Sequence, residues 1–421
     1  MKILVLSNLY PPDYIGGYEL ACADVVDELR KRGHDARVLT AMPRQPTETP
    51  GHVLRRFKLI DEWSEHGMGS TPFTFRKSEI ESRLINSYNV HALISYLEEF
   101  QPDVVYACAL TGLGGMGLIG CLQYLGVPWV WQLGDRVPHH LCGTRQEVIP
   151  GLASLYSRYV KGHYIVVSQQ LQKEIEAGGI ALMGQVHLLP NWIKGTPPPA
   201  RTTYYNGGHL RIMTAGQVAR WKGVDLLIEA AAKLREAGRD NFSVHIYGKL
   251  HQHDIPSLIH KFDVATHVEL KGSIPRAQLL EMYRSYDLFA FPTLSREPFG
   301  LVPLEAAAEG CVPVMARRCG IAEWLVHGAH CLKAERTAES FAQRFLDVMD
   351  GRVGLEAIGR RAQAVAWRDF HLDRILPKIE HILNHAARRK PEVAGTAHEA
   401  YRLARMAEHL TAALLAESLA A

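Results

Sequence analysis

Short apolar runs alternate along the chain with longer stretches in which apolar residues recur at helical spacing. The run Lys2–Ser7 has the composition of a buried parallel strand, and Asp35–Thr40 is a second one. Between them, a stretch that begins at the turn Gly16-Gly17 keeps Val25 and Leu29 on one apolar face. This order of strand, helix and strand is typical of a βαβ unit and predicts an α/β protein with parallel sheets.

The same alternation starts again after a proline-rich interval. Ile193–Gly208 has no periodicity and contains three consecutive prolines, which predicts a stiff linker. Leu210–Ala215, Ser243–Gly248 and Leu288–Phe291 are then predicted to be strands of a second α/β half. The predicted boundaries are a first Rossmann-like domain over 1–192, a linker over 193–208, a second Rossmann-like domain over 209–365, a helix over 366–387 and an extra helical tail over 388–421.

The amino-acid composition excludes several classes of protein. The 421 residues are 47% hydrophobic and carry a formal net charge of +3, which fits a two-domain globular protein and argues against a dedicated nucleic-acid binder. No run approaches the roughly 18 apolar residues that span a bilayer, so peripheral membrane contact is the most we expect. Seven scattered cysteines without a C-x-x-C pair favour a cytoplasmic protein with reduced thiols and no structural zinc.

The most informative stretch is Arg296–Leu325, which reads REPFGLVPLEAAAEGCVPVMARRCGIAEWL. It follows the predicted strand Leu288–Phe291, and a helix is predicted to begin near Val302 because proline suits a first helical turn. The backbone N–H groups of Gly300, Leu301 and Val302 would then have no partner within the helix. With the positive end of the helix dipole behind them, they form a natural site for a diphosphate.

Two glutamates flank the start of this helix. Glu297 is predicted to lie on the loop, and Glu305 in the first helical turn. A carboxylate there can accept hydrogen bonds from two neighbouring hydroxyls, as on a ribose. The alternative is that Glu305 only complements the helix dipole and that Glu297 is a solvated loop charge.

The turn Gly16-Gly17 is a second candidate for a phosphate contact, because it follows the first strand and opens a helix. It does not match G-x-G-x-x-G, and no acidic residue ends the second strand. An NAD site is therefore not favoured, and the alternative is a tight turn with a structural role only.

The stretch from Arg296 strongly resembles the signature of glycosyltransferase family 4, E-P-F-G-L-x-x-x-E-A-x-A-x-G-x-P-V. That family consists of retaining, nucleotide-sugar-dependent enzymes built from two Rossmann-like domains facing across a cleft, the GT-B fold. The resemblance implies that the first domain binds the acceptor and the second binds the nucleotide sugar. It also implies that the helix over 366–387 crosses back to the first domain.

The resemblance assigns further site residues, with two departures from the family pattern. Lys222 matches the lysine of G-R-x-x-x-x-K-G, which clamps the donor diphosphate, but Gln217 stands where the family has arginine. A glutamine offers neutral donors in place of a guanidinium, and Arg220 is the candidate replacement for the lost charge. Family members often carry His-Asp at the strand end near the sugar; Asp135 is kept here, while Gly134 replaces the histidine.

The implied activity is transfer of a sugar from a nucleotide sugar, with UDP as the expected nucleotide, to a small-molecule, glycan or lipid acceptor. Lys222, the helix start at 300–302 and the turn Gly16-Gly17 would stabilise the diphosphate leaving group. Glu305 would hold the ribose, and Glu297 would contact the sugar with Asp135 nearby. No D-x-D motif is credibly placed, so no metal or other cofactor is expected.

Two other functions stay open. A nucleotide-sugar epimerase or sugar-phosphate hydrolase on the same fold would act without an acceptor. A catalytically weak nucleotide-sugar-binding protein would explain Gln217 and Gly134 as losses, and would act through its C-terminal tail. That tail is a candidate surface for homo-oligomer formation. The loops over 41–76 and 135–150, where the acceptor would bind, contain no sequence motif that indicates which acceptor it is.

Overall fold

The computed structural model describes residues 1–43, 48–60, 72–143, 148–158 and 162–388. Contacts divide the chain into two compact units. The first contains Met1–Val167, Leu171–Leu189 and residues 376–388 at the end of the described chain, and the second contains Ser168–Gln170 and Pro190–Ile375. The predicted tail helix lies outside the described residues, and so its predicted role in homo-oligomer formation stays a prediction. Parts of both predicted acceptor loops also lie outside the described residues.

The first unit is built on a parallel sheet of seven strands in the order β3-β2-β1-β4-β5-β6-β7. The central strands β1, β4, β5 and β6 are buried except for Lys2, which is the pattern of a sheet covered on both faces, whereas the edge strands β3 and β7 are partly exposed. The strands are β1 (Lys2–Leu6), β2 (Asp35–Ala41), β3 (Val53–Phe57), β4 (Val104–Ala107), β5 (Trp129–Leu133), β6 (His163–Val166) and β7 (Gln185–Leu188). The helices are α1 (Gly17–Lys31), α2 (Pro72–Arg83), α3 (Ser87–Phe100), α4 (Gly115–Tyr124), α5 (Val137–Leu141), α6 (Pro150–Ala153) and α7 (Gln169–Ala177).

The second unit has a parallel sheet of six strands in the order β10-β9-β8-β11-β12-β13. Its strands are β8 (Leu210–Ala215), β9 (Phe242–Tyr247), β10 (Val268–Gly272), β11 (Leu288–Phe291), β12 (Val312–Ala316) and β13 (Leu332–Ala334). Its helices are α8 (Val224–Glu236), α9 (Ile255–Lys261), α10 (Arg276–Met282), α11 (Leu301–Ala308), α12 (Ala338–Met349) and α13 (Leu355–Asp369), and α14 (Leu372–Arg388) follows. Two parallel sheets with helices between their strands confirm the predicted α/β class.

The strand order of the second unit fixes where a ligand can bind. The chain leaves β8 for β9 on one side, and later returns to place β11 on the other side of β8. The connections that follow β8 and β11 therefore run in opposite directions and leave a crevice at the carboxyl ends of these two neighbouring strands. Lys222 follows β8 and Glu297 follows β11, so both residues lie at this switch point.

The helix predicted over 366–387 is interrupted, and this prediction is wrong in its boundaries. Residues up to Asp369 end α13, and α14 begins at Leu372. Ile193 causes the break, because its N–H donates to the Phe370 carbonyl at 2.9 Å and its own carbonyl accepts from the Leu372 N–H at 2.9 Å. The linker thus takes backbone groups that a continuous helix would use within itself.

The last helix, α14, packs within the first unit from Leu376 onward. Glu380 pairs with Arg32 at 3.0 Å and with His34 at 2.7 Å, both just beyond α1. Ile375, Ile379 and Leu383 on the same helix are fully buried. The end of the described chain is therefore tied to its first βαβ unit by ion pairs.

Candidate active site

A cavity of about 330 Å³ lies at the switch point of the second unit. It opens at the carboxyl ends of β8, β9 and β11 and at the start of α11. Six of the predicted donor-site residues line it together, namely Gln217, Lys222, Glu297, Gly300, Leu301 and Val302. Residues from two separate stretches, 75 or more positions apart, therefore meet in one site.

Lys222 is positioned by a tight turn between β8 and α8. It ends a 3₁₀ turn, and Gly223 follows with a φ of +74°. A Cβ at Gly223 would lie 2.3 Å from the Pro292 carbonyl oxygen, so this close approach requires glycine. The Lys222 ammonium lies 2.7 Å from Glu297 Oε2. The cation predicted for the diphosphate is therefore paired with the acid predicted for the sugar.

The start of α11 is formed by a loop whose backbone is held in place. The N–H of Gly320 donates to the Glu297 carbonyl at 3.0 Å, and the N–H of Ile321 donates to the Phe299 carbonyl at 2.7 Å. Gly300 caps the helix with a φ of +98°. The first N–H groups of α11 have no carbonyl within the helix to bind, and they meet the cavity at Gly300, Leu301 and Val302. This is the arrangement that binds phosphate groups at helix starts.

Glu305 lies one residue further into α11 than predicted, because the helix begins at Leu301 and Glu305 is its fifth residue, just beyond the first turn. Its carboxylate is 4% exposed and outside the cavity lining among the described residues. Arg276, at the start of α10, donates to Glu305 Oε1 from Nε at 3.0 Å and also from Nη2. Tyr283 donates to Oε2 at 3.4 Å, and burial, followed by the charge of Glu305, raises the pKa of this tyrosine well above its usual value.

Arg220 lies on the same turn as Lys222, but its guanidinium is held by two acids. Nη2 lies 2.5 Å from Asp254 Oδ2, and Nη1 lies 3.6 Å from Asp225 Oδ2. The hydrogen bond to Asp254 raises the pKa of Arg220 and lowers that of Asp254. A role for Arg220 as the replacement cation stays a prediction, and it would have to compete with these two carboxylates.

Gln217, which replaces the family arginine, accepts a hydrogen bond from the indole N–H of Trp221 at 3.2 Å. Sequence reasoning missed both Trp221 and Arg276. Trp221 had a local signal, since it immediately precedes Lys222, whereas Arg276 reaches Glu305 across 29 positions and has none.

The first unit brings its own predicted residues to one edge of its sheet. Gly16 caps α1 and donates its N–H to Glu19 Oε2 at 3.0 Å, and Gly17 is the exposed first residue of the helix. Asp135 follows β5 and is exposed, and its Oδ1 accepts the Arg136 N–H. Tyr18 links the two loops, because its ring lies about 3.5 Å from where a Cβ on Gly134 would stand, and its hydroxyl donates to the Gln132 carbonyl.

Neither a metal-binding cluster nor a membrane-spanning helix occurs among the described residues. Across residues 1–43, 48–60, 72–143, 148–158 and 162–388, no three His, Cys, Asp or Glu side chains are grouped so as to hold a metal ion. Within the same ranges, no helix has the length and apolar character to cross a membrane.

Two family models match the chain, one on each side of the linker. The model for Glycosyltransferase Family 4 matches residues 15–194, and the model for Glycosyl transferases group 1 matches residues 205–365. Between them they cover most of the described fold. The chain belongs to glycosyltransferase family 4 and has the GT-B fold, which confirms the resemblance found in the sequence.

Individual relatives agree with this assignment. The chain is 25% identical over 390 residues to a glycogen synthase of Mycobacterium tuberculosis, covering 88% of this chain and 91% of that one. It is 23% identical over 344 residues to an uncharacterized glycosyltransferase of Methanocaldococcus jannaschii, covering 78% of this chain and 83% of the relative.

Solved structures show the same fold at lower identity. The sucrose-phosphate synthase of Thermosynechococcus elongatus superposes with a TM-score of 0.68 at 16% identity, covering 91% of this chain and 98% of that chain. HepE of Anabaena, solved in complex with UDP, superposes with a TM-score of 0.65 at 18% identity, covering 91% of this chain and 100% of that chain.

Proposed function

We propose that this glycosyltransferase transfers a hexose from a UDP-sugar to an acceptor hydroxyl, with retention of anomeric configuration and without a metal ion. The observation that carries the proposal is the convergence of the Lys222 ammonium and the start of α11 on one cavity at the switch point. A cation and a set of free N–H groups are the two elements that bind a diphosphate. HepE, which shares the fold, is known in complexes with UDP and with UDP-glucose, and this supports UDP as the nucleotide.

The proposed chemistry uses these groups to stabilise the leaving group. The bond between the anomeric carbon and the β-phosphate oxygen breaks, and the acceptor oxygen forms the new bond on the same face of the sugar. The acceptor proton passes to the departing phosphate oxygen, so no protein base is required. Lys222 and the N–H groups of α11 offset the negative charge that develops on UDP, which makes a metal unnecessary.

The acidic residues have separate roles in this proposal. Glu297 exchanges its contact with Lys222 for contacts to sugar hydroxyls when the donor enters. Glu305 binds the ribose hydroxyls, with its carboxylate oriented by hydrogen bonds from Arg276. Asp135 and the turn Gly16-Gly17 belong to the first unit, and we assign them to the sugar and the diphosphate by analogy with the family pattern.

A cytoplasmic location is part of the proposal. The seven cysteines are free thiols and six of them are buried, which suits a reducing compartment.

The proposal is tested by calorimetric titration of UDP, GDP and ADP into the wild type, in the presence of a metal chelator. We expect UDP to bind more tightly than GDP and ADP, and Lys222→Ala to weaken UDP binding by about tenfold or more, equivalent to about 1.4 kcal/mol. Lys233→Ala is the matched control, because Lys233 lies on α8 and pairs with Glu339 on the surface.

Failure of all three nucleotides to bind a folded wild type would overturn the donor site. Retention is tested separately, by determining the anomeric configuration of the product by NMR with a UDP-hexose and an identified acceptor. An inverted product would overturn the proposed mechanism while leaving the donor site intact. Release of free sugar with no dependence on any acceptor would favour a hydrolase.

A further inference from the structure

Trp221 is an exposed aromatic residue at the donor cavity that the proposed chemistry does not use. The residue is 39% exposed and immediately precedes Lys222, which lines the cavity. Its backbone is fixed, because the Trp221 carbonyl accepts the N–H groups of Leu294 at 3.1 Å and Ser295 at 3.0 Å. The loop that leads to Glu297 therefore holds Trp221 beside the cavity.

The indole N–H of Trp221 has a defined partner, the side-chain oxygen of Gln217, at 3.2 Å. A glutamine amide has an accepting oxygen and a donating NH₂ group on opposite sides of the same carbon. When the oxygen binds the indole, the NH₂ group faces away from the indole. Because Gln217 lines the cavity, its donors are then available to a ligand.

We propose that Trp221 is a positioning residue, which fixes the Gln217 amide so that its NH₂ group donates to the diphosphate of the bound nucleotide. The inference rests on the proposed function, since it concerns the same donor site. The terminal torsion of glutamine is broad and roughly two-fold, so an unrestrained amide would present its oxygen to the diphosphate part of the time. An oxygen facing a phosphate is repulsive, whereas an NH₂ group facing it forms a hydrogen bond.

The neighbouring charges explain why this chain would depend on a fixed orientation of the Gln217 amide. The family arginine is absent at position 217, and the guanidinium of Arg220 is already held by Asp225 and Asp254. Among the described residues that line the cavity, Lys222 is then the only cation. A glutamine whose donors always face the diphosphate recovers part of the attraction that a guanidinium would supply.

The experiment is a double-mutant cycle on nucleotide binding, using Trp221→Phe, Gln217→Ala and the combined variant. Phenylalanine keeps an aromatic ring and removes only the N–H donor. We expect Trp221→Phe to weaken UDP binding by about threefold to tenfold, the range of one net hydrogen bond. Added to Gln217→Ala, the same substitution should change UDP affinity by less than about twofold, because its effect passes through Gln217.

The binding of uridine, which has no diphosphate, distinguishes an effect on the diphosphate contact from a general structural effect on the site. Its affinity should be the same in the wild type and in Trp221→Phe. His251→Ala is the matched control, because it removes the ring next to Trp221, with centroids 6.1 Å apart, and leaves the indole hydrogen bond in place. UDP affinity should then stay within about twofold of the wild type.

Three results would overturn the inference. Equal losses for UDP and uridine would show a general effect on the site, and independent losses in the cycle would show that the ring contacts the ligand directly. Unchanged UDP binding in Trp221→Phe would show that the amide needs no restraint. In each case UDP still binds the wild type, so the proposed function stands; a wild type that binds no UDP would remove both.

Discussion

The ion pair between Lys222 and Glu297 sets up a competition at the scale of single residues. The two charged groups lie 2.7 Å apart, and their side chains are 31% and 15% exposed. An entering diphosphate must share or displace the carboxylate to reach the ammonium. The ion pair therefore keeps the Lys222 ammonium neutralised and oriented at the cavity.

This competition predicts opposite effects of Glu297→Gln on binding and on catalysis. UDP affinity should rise by about twofold to fivefold, because a partly exposed ion pair that opposes binding is removed. Sugar transfer should fall by about a hundredfold or more, since a charged contact to the transferring sugar is lost. Calorimetry with UDP and an initial-rate assay with the UDP-sugar measure the two effects. Weaker UDP binding in this variant would mean that Glu297 assists the diphosphate and does not compete with it.

The sequence predicted which residues meet in the cavity, but not how they pair. The family resemblance assigns Lys222, Glu297 and the helix start at Gly300 to one nucleotide-sugar site, and all three line the cavity. The contact of Arg276 with Glu305 could not be predicted, because the two residues are 29 positions apart on different helices. The contact of Trp221 with Gln217 spans four positions, but across a turn and not within one helix, so helical spacing gives no guidance.

At the scale of elements, the segment after β12 shapes the site without lining it. Gly320 and Ile321 hold the backbone of the loop that carries Glu297, through the two hydrogen bonds to the Glu297 and Phe299 carbonyls. A Cβ at Gly320 would lie 1.9 Å from the Pro298 carbonyl oxygen. The obstacle is backbone and cannot rotate away, so any side chain here displaces the loop.

Gly320→Ala should therefore destabilise the protein by about 1–3 kcal/mol, as expected for overpacking, and reduce transfer more than that loss of stability explains. Gly208→Ala is the control in the same unit, because the new Cβ would lie 3.7 Å from Asn206 Oδ1, in ordinary contact. That change should stay within about 0.5 kcal/mol of the wild type. Urea unfolding gives the stability, and initial rates of well-folded samples give the activity. Full activity in Gly320→Ala would show that the loop position is not critical.

The end of α13 at Asp369 and the start of α14 at Leu372 could not be predicted from the sequence, because they also depend on a contact between distant positions. The periodicity across 366–387 is continuous, and only the backbone pairing of Ile193 with Phe370 and Leu372 interrupts it. Such pairing depends on where the linker lies after folding. The strands were easier to predict, because a buried parallel strand is a continuous apolar run wherever it packs.

At the scale of the whole molecule, the fold class followed from the alternation of strands and helices, and the switch point followed from the fold. The family resemblance predicts that the final helix packs with the first domain. It does not predict the histidine cluster that α14 forms there with β6 and β7. His163 on β6 lies 3.0 Å from His187 on β7, between ring nitrogens, and their rings stack with centroids 5.3 Å apart. His385 on α14 lies edge-on to His163 at 5.5 Å between centroids.

This histidine cluster predicts a loss of stability in mild acid. Burial lowers the pKa of His187, and the nearby His385 and His381 lower it further. The unfolded chain, with a histidine pKa of about 6.5, then takes up protons before the folded chain does. The contribution of neutral His187 is fully present above about pH 6.5 and is lost as the pH falls toward its lowered folded pKa.

His187→Gln removes the titrating group and keeps a polar side chain, so the free energy of unfolding should vary less between pH 7.5 and pH 5.5 than in the wild type. His253→Gln, an exposed loop histidine of the second unit, should keep the wild-type dependence. Urea unfolding of the three proteins at both pH values measures the difference. An unchanged slope in His187→Gln would show that the other charges around α14, chiefly Glu380 with Arg32 and His34, govern the acid response.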